Sequence, residues 1–315
     1  MRYLKDLTEG SRISDIYLIK QRSSAVTKNG KNYLNVILQD KTGTMDAKVW
    51  EPNSAGIEDF DEKDYVEIVG DVSTFNGALQ VSVKRARLAH EGEYEPADYL
   101  PVSGKNVDSM YKELLDIIDR TENTYLKKLL QAFFVEDEKF IAKFKFSSAA
   151  KMVHHAFVGG LLEHTLSVTK NCIFFAAQYP ALDRDLLVTS AICHDIGKTK
   201  ELSPYPDNDY TDEGGLLGHI VMGTEMIGEK VKSIEGFPPV LENELKHCIL
   251  AHHGEYEFGS PKKPALIEAV ALNFADDLDA KMETFTELLG KSQNPKEWQG
   301  FNRLLDSNIR GTRLE

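Results

Sequence analysis

Eight of the nine histidines fall within a hundred residues: His154, His155, His164, His194, His219, His247, His252 and His253, with His90 the outlier. One of them opens the run His194-Asp195-Ile196-Gly197-Lys198. Imidazole and carboxylate are the side chains that ligate first-row divalent metals. Adjacent helical residues diverge by about 100°. His194 and Asp195 therefore cannot point the same way, yet they can flank a metal from two sides, and the two oxygens of Asp195 can bridge two ions. Gly197 would allow close approach of backbone or substrate, and Lys198 would bring positive charge to a phosphate.

The helical periodicity says which of these groups turn inward. His164 shares a stripe with Leu161, Thr165, Val168 and Cys172. His194 and Asp195 follow Leu187 and Ala191 on a buried side, and His252 follows Leu241, Leu245, Cys248 and Ile249. Ile267, Val270, Ala271 and Phe274 lead toward Asp276. One inward histidine is more often a hydrogen-bonded core residue than a ligand. Several imidazoles and carboxylates aimed into one apolar interior each need compensation, because burying an unpaired charge costs several kcal/mol. A divalent metal held between facing helices compensates them together. A mixed His and Asp set suits manganese, Fe, Co, Ni or Zn better than Mg²⁺ or Ca²⁺, which prefer oxygen shells.

The elements that must position this cluster divide the chain. Segments 14–22, 32–40, 43–51, 64–72 and 78–88 are rich in β-branched and aromatic residues and are separated by turn signals. In the last of them Leu79, Val81, Val83, Arg85 and Arg87 are expected on one face. Five strands in so short a stretch predict a small closed barrel. Residues 91–105, with Pro96, Pro101 and Gly104, read as a linker, and from 106 to about 290 the period is helical. The fold class expected is therefore a β-barrel over 1–90, the linker, an all-α bundle over 106–290 and a tail over 291–315.

Composition is globular, at 42% hydrophobic and 28% charged, with no apolar run of the length that crosses a bilayer. Residues 1–10 lack the apolar stretch of a signal peptide, so a soluble cytoplasmic protein is expected. Cys172, Cys193 and Cys248 each lie in apolar helical surroundings and read as reduced core residues. A net charge of −13 argues against wrapping duplex DNA. It leaves room for a strand held by a local groove or by metal ions.

The strand-rich stretch, above all residues 29–52, resembles an OB-fold of the nucleic-acid-binding kind. Such barrels grip single strands through aromatic stacking and basic side chains. The candidates here are Lys20, Arg22, Tyr33, Trp50, Phe75, Lys84 and Arg85, with Tyr33 and Trp50 alternatively packing residues. The order of His164, His194-Asp195 and Asp276, in segments 160–168, 193–198 and 275–281, resembles the HD-domain phosphohydrolase superfamily. That resemblance assigns His164, His194, Asp195 and Asp276 to a first metal, and His219 and His252 to a second bridged by Asp195. His253 would be a further ligand or a substrate contact, and Lys198 a catalytic cation. His155, in preference to His154, is expected to face the substrate cleft. Asp277 is expected to be a hydrogen-bonding carboxylate, Asp279 a solvated or packing residue, and His247 a surface residue.

An OB-fold joined to an HD domain resembles the YhaM family of bacterial 3′→5′ exoribonucleases. The family implies two divalent metal ions, typically Mn²⁺, and trimming of single-stranded RNA, with single-stranded DNA as a second substrate, to nucleoside 5′-monophosphates. A homo-oligomer is compatible, and no membrane partner is implied. The alternative is a nucleotide or cyclic-nucleotide phosphohydrolase regulated by its OB module, although the Gly-Tyr-Pro signature of the cyclic-dinucleotide branch is absent. Arg303, Arg310 and Arg313 in the tail would either reach a phosphate backbone or belong to a frayed terminus.

Overall fold

The computed structural model describes residues 2–27, 29–100, 102–151, 155–290, 292, 294–303 and 305–313. They form two compact units, one of Met1–Val102 with Tyr205–Asp207, the other of Ser103–Pro204 with Asn208–Glu315.

The first unit is a barrel of β1 (Arg12–Val26), β2 (Asn32–Asp40), β3 (Gly43–Val49), β4 (Tyr65–Phe75) and β5 (Ala78–Leu88). They close in the order β1-β2-β3-β5-β4, antiparallel except for the parallel β3–β5 pair. Period-two alternation turns Leu34, Val36 and Leu38 of β2 inward, onto Tyr17, Ile19, Ile68 and Val81. In β5 the expected single face breaks. Val81 and Val83 point inward, but so does Ala86, while Arg85 is exposed. The cause is a bulge: Gly70 pairs with Val83 and Val69 with Arg85, so Lys84 is the extra residue and the phase inverts after it.

The expected linker begins later than its composition suggests. Tyr94 stacks on Tyr65 with ring centroids 3.9 Å apart, and Tyr99 meets Tyr65 edge-on at 5.1 Å. Tyr99 and Leu100 are buried, so aromatic packing holds this stretch to its own unit.

The second unit is helical: α1 (Val107–Asp119), α2 (Thr124–Phe134), α3 (Glu138–Phe146), α4 (Gly160–Gln178), α5 (Arg184–Cys193), α6 (Lys198–Glu201), α7 (Asp212–Val231), α8 (Pro239–Leu250) and α9 (Ile267–Gly290). Asn106, Asn123, Asp137, Asp183 and Thr211 cap helix starts by accepting from backbone N–H groups of the first turn. One core gathers Leu126, Phe133, Phe134, Phe144, Leu161 and Ile192. A second, between α4, α5, α8 and α9, contains Val168, Leu187, Leu272 and the buried free thiols Cys172 and Cys248. No helix among the described residues is long and apolar enough to cross a membrane.

The described residues of the tail are held in place rather than frayed. A hairpin of β6 (Phe301–Asn302) and β7 (Ser307–Asn308) is followed by the buried Ile309. Gly311 N–H donates to Pro295 O at 2.7 Å, and the Arg310 guanidinium lies 5.2 Å from the centre of the Trp298 ring. An apolar anchor and a cation–π contact hold down a segment whose composition alone suggests a free end.

Candidate metal centre and nucleic-acid interface

The inward residues of α4, the α5–α6 turn, α7, α8 and α9 converge. His164 Nε2 lies 3.2 Å from His194 Nε2, 3.1 Å from Asp276 Oδ1 and 3.5 Å from Asp195 Oδ2. His194 Nε2 lies 3.4 Å from Asp195 Oδ2 and 3.8 Å from Asp276 Oδ1. Ligands held about 2.1 Å from one first-row ion must lie roughly 3.0–3.5 Å from each other, so these four atoms have the spacing of one coordination shell. Beside them Asp195 Oδ1 sits 3.4 Å from His219 Nε2 and 3.8 Å from His252 Nε2. His253 joins the latter two, with ring nitrogens of the trio within 4.8 Å of one another.

Asp195 Oδ1, His219 Nε2 and His252 Nε2 are buried with no hydrogen-bond partner among the described residues. Left so, each group costs about 1–3 kcal/mol. The opposite ring nitrogens are all engaged. His194 Nδ1 donates to Ala191 O and His252 Nδ1 to Ile249 O, both at 2.7 Å, and His253 Nδ1 to Phe258 O at 2.9 Å. His164 Nδ1 donates to Asp279 Oδ2 at 2.7 Å, and His219 Nδ1 to Glu201 Oε1 at 3.0 Å. With every Nδ1–H committed elsewhere, the Nε2 atoms are left as the metal-facing ones, the arrangement characteristic of ligating histidines. The residues present therefore fit divalent metal.

The local sequence explains how the backbone reaches this geometry. His194 ends α5, and the chain turns at once into α6. A Cβ on Gly197 would lie 1.9 Å from His219 O, so only glycine lets α7 approach. Gly218 takes φ 74° and ψ 154° inside α7. That kink presents both the backbone N–H and the ring of His219 to Glu201 Oε1, at 3.0 Å each.

Charge follows the same logic. Burial pulls the imidazoles of His194 and His252 below their ordinary value, so they are neutral and able to ligate. Burial alone would raise Asp195, but Lys198, whose Nζ is 2.6 Å from Oδ2, and the surrounding imidazoles hold its carboxyl well below the usual range. Burial opposes a charge on His164 too, yet its hydrogen bonds to Asp276 and Asp279 lift it to about 10. Without metal a proton on His164 thus sits where the four ligand atoms meet.

Several sequence-based expectations need correction. Asp279, not Asp277, is the hydrogen-bonding carboxylate: it accepts from His164, from His155 Nε2 at 3.1 Å and from the Ser167 hydroxyl. Asp277 is half exposed and pairs with Lys281 at 2.7 Å. Positions 276 and 279 are three residues apart and share a helix face, whereas 277 is turned by about 100°. His155, expected at the substrate cleft, is 2% exposed and hydrogen-bonded to Asp279, with its ring centre 5.4 Å from that of His164. His154 lies outside the described residues. His247 is half-buried and its Nε2 accepts from Ala265 N–H at 2.9 Å, tying a loop. Sequence reasoning missed Glu201 and Asn273. Asn273 precedes Asp276 by three residues on the same face, and its amide donates to His252 O at 2.7 Å. Glu201 meets His219 only through space, so no local signal marks it.

On the barrel the candidate residues separate. Tyr33 stacks on Trp50 with centroids 5.1 Å apart and planes at 29°, and the Lys48 ammonium lies 5.9 Å from the centre of the Tyr33 ring. Arg22 and Tyr33 line one groove. Arg22, however, already binds Asp59 at 3.1 Å and Asp61 at 3.2 Å, and Lys84 binds Asp71. Lys20 is exposed at a register shift in β1, Arg85 at the β5 bulge, and Phe75 at the β4–β5 turn.

Comparison with known proteins agrees with this architecture. The HD domain family model matches residues 161–281, and the OB-fold nucleic acid binding domain model matches 11–89. The class is accordingly an HD-domain hydrolase carrying an OB-fold. A curated relative, the 3′-5′ exoribonuclease YhaM of Geobacillus sp. (strain WCH70), is 35% identical over 285 residues, covering 90% of this chain and 86% of its own. YhaM of Bacillus velezensis (strain DSM 23117 / BGSC 10A6 / LMG 26770 / FZB42) is 36% identical over 276 residues, 87% and 86% of the two chains. Among solved structures, the second OB-fold domain of replication protein A from Methanococcus maripaludis aligns with 30% of this chain and 98% of its own, at 18% identity and a TM-score of 0.24. The chain belongs to the YhaM 3′-5′ exoribonuclease family.

Proposed function

We infer that the protein is a metal-dependent 3′→5′ exoribonuclease that shortens single-stranded RNA, and single-stranded DNA as a second substrate, to nucleoside 5′-monophosphates. One observation carries the metal chemistry: buried, unpartnered Asp195 Oδ1, His219 Nε2 and His252 Nε2 beside the close set of His164, His194, Asp195 and Asp276. In this reading the latter four hold one divalent ion. Asp195, His219, His252 and His253 hold a second, with Mn²⁺ the first candidate. Two such ions would activate a water for attack and offset the charge of a phosphodiester. The chain's own part is to aim the ligands, exclude bulk water and place Lys198 by the phosphate oxygens, its side chain only 17% exposed. Water adds to phosphorus, the 3′-oxygen of the preceding nucleotide leaves with a proton, and the products are a 5′-monophosphate and a shortened 3′-hydroxyl end. The Tyr33–Trp50 stack and its groove are the barrel's proposed contact with the strand.

The test is a 5′-labelled single-stranded RNA with and without Mn²⁺, run beside the His194→Ala, Asp195→Ala double variant. A ladder shortening from the 3′ end that needs metal and vanishes in the variant is expected. Intact RNA with every divalent ion tried, alongside turnover of a cyclic dinucleotide, would replace this reading with that of a small-nucleotide hydrolase.

A further inference from the structure

The metal centre opens into a cleft of about 960 Å³ that His164, Lys198 and Asp276 share with two aromatic residues, Phe258 and Phe274. Both rings are out in solvent, Phe258 at 66% and Phe274 at 62% exposed. They come from different elements: Phe258 ends a 3-10 turn at Tyr256–Phe258, and Phe274 lies on α9. Neither ring contributes to a hydrophobic core.

Each ring is nevertheless registered to the metal ligands. The carbonyl of Phe258 accepts from His253 Nδ1 at 2.9 Å. The neighbour of Phe274, Asn273, donates to His252 O at 2.7 Å. The two bonds lead back to adjacent histidines, so the turn and the helix that carry the rings are fixed relative to one point. Exposed apolar surface held this firmly beside a reactive centre is a recognition feature rather than leftover packing.

The cations of the cleft indicate what is recognised. Lys263 already pairs with Glu255, and Lys281 with Asp277 at 2.7 Å. Beyond the single contact from Lys198, a grip on the backbone phosphates would have to compete with both carboxylates, in a chain of net charge −13. A grip on a base would not. Every nucleobase presents a π-face, and aromatic side chains bind it with little regard to sequence.

We propose that Phe258 and Phe274 hold the 3′-terminal base of the strand by stacking, and so set which phosphodiester reaches the metal centre. This rests on the exonuclease reading above. The bond cut is then always the one next to the held base. A base paired in a duplex must leave its stack to enter, which favours single strands.

A double-mutant cycle tests the proposal. Wild type, Phe258→Ala and Phe274→Ala are each assayed with Mn²⁺ on a single-stranded RNA oligomer and on the same oligomer whose 3′-terminal nucleotide lacks its base. Each alanine variant is expected to lose about tenfold or more in kcat/KM on the intact oligomer, the scale of one lost stack. On the abasic end the variants and wild type should agree within about twofold, and Phe274→Trp should keep wild-type activity. Equal losses on both oligomers, or none on the intact one, overturn the base clamp while leaving the exonuclease standing. Failure of wild type to shorten either oligomer overturns both. Thermal melts equal to wild type are expected for both alanine variants, since each ring is mostly solvated.

Discussion

The barrel and the helical unit treat their polar groups in opposite ways. On the barrel, Arg22 is occupied by Asp59 and Asp61, Lys84 by Asp71, and Arg87 by Glu67 and Glu93. In these groups every cation already has at least one carboxylate partner. In the helical unit, the imidazoles and carboxylates of five segments are turned inward, and Asp195 Oδ1, His219 Nε2 and His252 Nε2 have no hydrogen-bond partner among the described residues. Both regions contain the residue types that chemistry uses. What separates them is satisfaction: a solvated ion pair is complete as it stands, whereas a converging set of buried, unpartnered donors is complete only with something added. A basic residue in a nucleic-acid-binding fold is therefore weaker evidence of contact than an orphaned imidazole is of a metal.

That contrast can be broken, most forcefully at the carboxylate behind the metal centre. Replacing Asp279 with Asn keeps the shape but removes the charge that orients His164. Mn²⁺ affinity, measured by calorimetric titration, is expected to fall roughly 10- to 100-fold. An unchanged affinity would mean that the aimed rings are coincidental. The next effect is in pH. Because Asp276 and Asp279 lift His164 to about 10 against its burial, metal must displace a proton from it. Below that value acid competes with metal, so affinity should rise with pH by up to about tenfold per unit. Titrations in buffers of different pH and ionisation enthalpy would show both the slope and the released proton. On the barrel the expected effects are smaller. Trp50→Ala removes half of the stacked pair and should weaken binding of single-stranded RNA about 5- to 10-fold in fluorescence anisotropy. Arg22→Gln removes a cation already held by two carboxylates, and should change the same affinity by less than about twofold. A larger loss at Arg22 than at Trp50 would reverse the comparison.

The same contrast explains what could be read ahead of the structure. The strands and helices were legible because period-two and helical patterns are local, and the inward turn of His164, His194, Asp195, His252 and Asp276 because each follows an apolar stripe, whereas His219 and His253 came only with the HD-domain resemblance. The β5 phase was not, since a bulge depends on the partner strand: Lys84 is extra only relative to Gly70 of β4. The roles of Asp277 and Asp279 were exchanged although the signal was present, because Asp279 shares the face of Asp276 and Asp277 does not. Glu201 was beyond reach, since its contact with His219 spans eighteen residues and depends on the Gly218 kink. For the tail composition left two readings open, since it does not reveal that Ile309 finds a buried seat.

The engaged Nδ1 atoms have one more consequence. An imidazole can carry its proton on either nitrogen, and a ring in solution exchanges between the two forms. Here carbonyls and carboxylates make the choice while the chain folds, for His164, His194, His219, His252 and His253 alike. An arriving ion meets lone pairs already aimed on four of these rings and need not wait for them to turn over, whereas His164 must first give up the proton on its Nε2. Its entry is then paced by how quickly it sheds its own water and His164 its proton. Such a site sorts ions by exchange speed as well as by strength of binding.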